Sequence, residues 1–163
     1  MTIGAGFGAA VLFASAGIRL DAEALELARL SILGAALGAV VVVDMADRRI
    51  PNRIAVPAAA ACAVLLAVDQ VRPGSLLRGL LVIALMLGLS LAWPASLGMG
   101  DVKLALLLVL GLAGLAPQAL LLGLVFAAAF GGALVLLYGR SSTSRSLPLA
   151  PFLSGGAAVA VFL

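Results

Sequence analysis

The apolar positions of this chain run in long blocks rather than alternating, and short polar or turn-forming stretches separate them. Beyond residue 26 the blocks lie at about 27–46, 54–68, 76–93, 102–116, 119–138 and 147–163. The breaks at 47–53, 69–75, 94–100, 116–118 and 139–146 are each marked by Pro, Gly, Ser or charge, as turn chemistry requires. Such blocks read as membrane-spanning helices, because a helix satisfies its own backbone N–H and C=O groups where no water is at hand. Several are shorter than the ~20 residues that a straight span needs, which predicts a thin or tilted bundle. An earlier apolar segment, 3–18, has no Lys or Arg before it and no clear small-residue cleavage site, so it reads as a retained short span and not as a cleaved leader. Arg19, Asp21, Glu23, Glu26 and Arg29 then mark a polar loop or interfacial turn. The expected fold is all-α: a polytopic membrane helix bundle, with an N-terminal apolar segment and polar loop over 1–26 and a six-helix membrane-embedded core over 27–163.

Composition agrees. Of 163 residues, 64% are hydrophobic and 10% charged, against about a quarter charged in soluble domains. Small residues recur within the blocks, as in Gly34-Ala35-Ala36-Leu37-Gly38, Ala58 to Ala61 and Gly131-Gly132-Ala133, and let helix backbones approach closely in lipid. The net charge of +3 would suggest nucleic acid in a soluble protein. Here the basic residues sit at block ends, where lipid headgroups and topology account for them, and nucleic acid is not an expected partner. Cys62 is the single cysteine, which excludes disulfides and a Cys-based zinc site. The chain has no histidine, so Ser-His and Cys-His nucleophile systems and imidazole metal sites are excluded as well.

Two acids stand out against this background. Asp44 closes the run Val40-Val41-Val42-Val43, and Asp101 lies in Gly98-Met99-Gly100-Asp101-Val102-Lys103 between two apolar blocks. Ionised groups at membrane depth are costly, so each calls for a functional reason. Counting alternate loops puts Arg48, Arg49, Arg53, Lys103, Arg140 and Arg145 on one side, and Arg19, Arg29, Arg72 and Arg78 with Asp21, Glu23, Glu26 and Asp69 on the other. Three of the first group crowd into one tight loop, which assigns that side to the cytoplasm. The same parity brings Asp44 and Asp101 to one face.

Two carboxylates sharing a proton in a partly dry site titrate separately, so one acts as base and the other as acid. That suits an aspartyl protease: one carboxylate takes a proton from the attacking water, while the other hydrogen-bonds the developing oxyanion and then protonates the amine. Neither metal nor cofactor is required. Gly98 and Gly100 would allow a sharp turn and close approach of a peptide; the bland reading is a glycine loop with Asp101 as a helix cap. Asp47, three residues after Asp44, would share its face one turn on, but it also suits pairing with Arg48, Arg49 or the lipid interface. Pro51 suits a helix stop or restart and Asn52 a cap.

The pattern Asp44 through Ile50-Pro51-Asn52, followed by Gly98-Met99-Gly100-Asp101-Val102-Lys103, resembles the paired signature of type IV prepilin peptidases, membrane aspartyl proteases of the Gly-x-Gly-Asp class. The late stretch Leu147-Pro148-Leu149-Ala150-Pro151-Phe152-Leu153-Ser154-Gly155 is similar to the proline-phenylalanine segment that opens the family's last helix. The resemblance covers about residues 30–163. It implies a six-helix core whose first helix ends in Asp44 and whose fourth begins at Asp101, the two forming the catalytic pair, with Gly98, Gly100, Lys103, Pro51 and Asn52 in support. It also implies a substrate: prepilins or pseudopilins whose short basic leader is cut off at the cytoplasmic face of the bacterial inner membrane, after a small residue ahead of the hydrophobic segment. Lys103 matches the family's lysine, and its plain alternative is a positive-inside anchor. The larger bifunctional members carry paired Cys-x-x-Cys motifs and also N-methylate the product; one cysteine and no insert argue against methyltransferase activity and zinc. The compact form resembles the minimal peptidases of tight-adherence (Flp) pili, relative to the shortest of which 3–18 would be an extra helix. Two other readings compete: Asp44, Asp47 and Asp101 holding Mg²⁺ for phosphoryl transfer to a lipid, or a small proton-coupled transporter with Asp44 and Asp101 as relay acids.

Overall fold

The computed structural model describes residues 7–12, 14–15, 24–47, 49–69, 73–92, 98–138 and 149–163. These form six principal helices: α1 (Ala24–Asp47), α2 (Asn52–Val68), α3 (Pro73–Ala92), α4 (Met99–Leu112), α5 (Ala116–Tyr138) and α6 (Ala150–Phe162), with a 3₁₀ turn at Ala113–Leu115 between α4 and α5. No strand occurs among the described residues. The protein is an all-α membrane helix bundle. Ala24–Asp47 and Met99–Leu137 are long and apolar enough to cross a membrane, and 52–68, 77–92 and 150–162 are shorter apolar helices. The expected N-terminal helix over 3–18 falls partly outside the described residues; the parts described, 7–12 and 14–15, are helical. They cross α1 where Gly34 has no side chain, since a Cβ there would come within 2.6 Å of the Ala9 carbonyl oxygen. Arg19, Asp21, Glu23, Arg48, Arg72, Arg140, Arg145, Leu147 and Pro148 lie outside the described residues.

α4 is the hub, in contact with each of the other five helices. Its sequence favours this placement: Val102, Leu104, Ala105, Leu107, Leu108, Val109, Gly111 and Leu112 are buried, while the stripe Met99, Lys103, Leu106 and Leu110 is less covered, and a helix that is apolar over most of its circumference belongs largely in an interior. Gly111 admits Leu33 of α1 and Gly79 of α3 admits Val109. In lipid, where apolar surface gains little from leaving the solvent, close packing of this kind holds helices together. α1 buries the stripe Leu33, Leu37, Val40 and Asp44, spaced by three or four residues as one helix face requires.

Antiparallel α1 and α2 are tied at the end remote from Asp44, where the buried Arg29 Nη2 donates to Asp69 Oδ2 at 2.6 Å. α5 and α6 meet backbone to backbone: a side chain at Gly156 would drive into the main chain of Gly123 and Ala119. Phe152 of α6 stacks at a tilt on Phe130 of α5, with ring centroids 5.4 Å apart. One expected boundary moves. The break placed at 116–118 lies instead at Ala113–Leu115, because a proline fits the first turn of a helix, where its missing N–H has no partner to lose. Pro117 therefore opens α5. The chain bends just before it, at Ala113, with φ 47°.

Candidate functional site

Asp44 and Asp101 line one cavity of about 350 Å³, together with Arg49, Ile50, Asn52, Gly98, Gly100 and Lys103. The two carboxylates come from different helices. Asp44 lies one turn before the end of α1 on the stripe that faces the bundle, and it is 7% exposed. Asp101 is half-buried in the first turn of α4 and borders the same cavity.

Each carboxylate is held by a backbone N–H at the start of a helix, where the dipole favours negative charge. Asp101 Oδ2 accepts from Gly98 N at 3.1 Å, and Asp101 N donates back to Gly98 O at 3.0 Å. Gly98 is thus the N-cap, and Asp101, which a cap reading would place just outside the helix, is its third residue. Asp44 Oδ2 accepts from Ala150 N at 3.2 Å in a buried contact that spans 106 residues. Ala150 is the first residue of α6, and Pro151 beside it favours the helical start.

The two glycines do different work from a sharp turn. Gly98 is extended, with φ −74° and ψ 150°, and Gly100 is helical, so neither position needs a left-handed conformation. A side chain at Gly100 would meet Ile50 Cδ1 at 3.3 Å; one at Gly98 would meet Asp101 Oδ2 at 3.4 Å. Gly100 makes room for the α1–α2 loop, and Gly98 keeps the approach to the Asp101 carboxylate clear. Asn52 is likewise not a cap. Pro51 takes the N-cap position of α2, its carbonyl accepting from Ile54 N and Ala55 N at 3.0 Å each. The Asn52 amide is turned to the cavity, where its Oδ1 accepts from Lys103 Nζ at 3.0 Å.

Asp47 is exposed at the last residue of α1 and does not line the cavity; among the described residues it makes no ion pair. Arg49 and Ala150 belong to the site although the sequence did not single them out. Arg49 adjoins Ile50-Pro51-Asn52 and so carried a positional signal. Ala150 lay within the stretch 147–155, but nothing there marked it as a site residue, because its contribution is a main-chain N–H that every residue but proline possesses. Two carboxylates that border one cavity are placed where acid and base work could be divided between them, and Arg49 and Lys103 line the same opening.

A model of the type IV leader peptidase family matches residues 30–137, well over half of the chain. No curated protein and no solved structure matches it.

Proposed function

The chain belongs to the type IV leader peptidase family, and from that premise we propose that it is a membrane aspartyl endopeptidase with Asp44 and Asp101 as its catalytic pair. The observation that carries this reading is the convergence of the two carboxylates, 57 positions apart in sequence, on one cavity. One carboxylate accepts a proton from water as the oxygen attacks the scissile carbonyl. The protonated partner hydrogen-bonds the oxyanion and then delivers its proton to the leaving amine. Each acid accepts from a main-chain donor, Asp101 from Gly98 N and Asp44 from Ala150 N, which orients the carboxylate toward its place in the pair.

The substrates are prepilins or pseudopilins of the Flp type, cut between a short basic leader and the hydrophobic segment. The cavity opens beside the Arg49–Arg53 loop, whose positive charge supports a cytoplasmic position of the site in a multi-pass protein of the bacterial inner membrane. Gly98, Gly100, Asn52 and Lys103 shape the cavity, and Pro51 starts the helix behind it. Co-expression with an Flp-type prepilin and mass measurement of the new pilin N-terminus tests reaction and substrate together. The expected product has lost the leader at a small residue; an unprocessed prepilin in the presence of membrane-inserted enzyme would sink the proposal.

A further inference from the structure

The loop between α1 and α2 is held on the first turn of α4 at two points. Ile50 lies against Gly100, where even a methyl group would crowd it. Two residues on, Asn52 Oδ1 accepts from Lys103 Nζ at 3.0 Å across 51 residues of sequence. Asp44 lies just before this loop, in the last full turn of α1, and Asp101 lies between Gly100 and Lys103 in the turn that receives it. Because the two acids sit on separate helices, their spacing depends on what pins the end of α1 to the start of α4.

We propose that Lys103 is a positioning residue whose ammonium, through its bond to Asn52, fixes the α1–α2 loop on the first turn of α4 and so fixes the spacing of the Asp44 and Asp101 carboxylates. This rests on the peptidase reading. The chemistry of the tie fits the task. A lysine paired directly with either carboxylate would take up the charge on which the acid pair depends. A neutral amide oxygen holds the ammonium without drawing on that charge. The loop also needs a tie from elsewhere, because no side chain caps the start of α2. A lysine serving only as a headgroup anchor would extend away from the bundle; this one lines the cavity.

The test uses the full chain in phosphatidylethanolamine–phosphatidylglycerol nanodiscs and has two arms. In the first, Cys62→Ala is combined with Arg53→Cys and Met99→Cys, both exposed positions, and the distance between spin labels is measured by pulsed electron resonance. Asn52→Ala and Lys103→Met should each broaden or shift the distribution. Asn52→Asp, which still accepts from the ammonium, should keep it narrow. A distribution unmoved by Asn52→Ala and Lys103→Met overturns the proposal. In the second arm, prepilin cleavage by Asn52→Ala and by Lys103→Met should show kcat lowered about tenfold or more and KM within about twofold, since misplaced reacting groups lose rate and not affinity. The double variant should be no slower than the worse single one. A rise in KM for Lys103→Met with additive losses would mean that the ammonium touches substrate, and the positioning role would be wrong. Wild-type protein that cuts no prepilin while the distances respond as stated removes the peptidase reading and leaves the tie. Normal cleavage with unresponsive distances removes the tie alone.

Discussion

Asp44 and Asp47 are three residues apart on one helix, yet only Asp44 enters the cavity. It continues the buried stripe of Leu33, Leu37 and Val40, whereas Asp47 ends α1 exposed. Asp44→Ala and Asp101→Ala should each lower leader cleavage by on the order of a thousandfold or more while the protein remains in the membrane fraction, because an acid–base pair acts as a unit. Asp47→Ala should keep most of its activity under the same mass assay. Loss equal to that of Asp44→Ala would mean that the wrong acid has been chosen. The outlying position of Asp47 also removes the third carboxylate from the Mg²⁺ reading of the acids.

At the level of elements, α6 links the two halves of the site. Its first N–H holds Asp44, and its Gly156 lies against the backbone of α5, the helix that follows α4. A side chain at 156 must push α6 away, so Gly156→Leu should destabilise the fold by about 1–3 kcal/mol or more and strip Asp44 of its donor. Reduced thermal stability together with lost cleavage is the expected result. Gly132→Leu, at a position with nothing within 4 Å of an added Cβ, should change neither. The Arg29–Asp69 pair makes a second prediction for elements. Asp69→Asn leaves a buried guanidinium without its counter-charge, and Arg29 Nε and Nη1 already lack partners. Breaking such a pair costs about 3–5 kcal/mol, whereas replacing both members by apolar residues is often neutral or stabilising. Arg29→Met with Asp69→Leu should therefore unfold at a higher temperature than Asp69→Asn alone. If the double variant is the less stable, the pair contributes more than its desolvation costs.

For the whole molecule, a bundle that brings two carboxylates into one cavity should cleave with a bell-shaped dependence on pH. Activity falls on the acid side as the second carboxylate takes up a proton, and on the alkaline side as the pair loses the one it shares. A flat profile through the acidic and neutral range would count against the shared proton. The bundle form itself was legible in the sequence, since blocks of apolar residues divided by Pro, Gly and charge leave helices as the one way to satisfy the backbone in lipid. Helix ends were less so: Pro117 opens α5 where a break was expected, because proline marks a helix start as readily as a stop. The chain by itself determined which residues are the candidates for chemistry. Without histidine, and with one cysteine, the acids bordering the apolar blocks were the groups left, and the motifs around Asp44 and Asp101 pointed to the family. Only the tertiary structure decided how those acids are held. The Ala150 N–H on Asp44, Ile50 against Gly100 and Lys103 on Asn52 all join residues far apart along the chain. Local pattern records which face a residue turns inward, but the partner it meets there is fixed by how the helices pack.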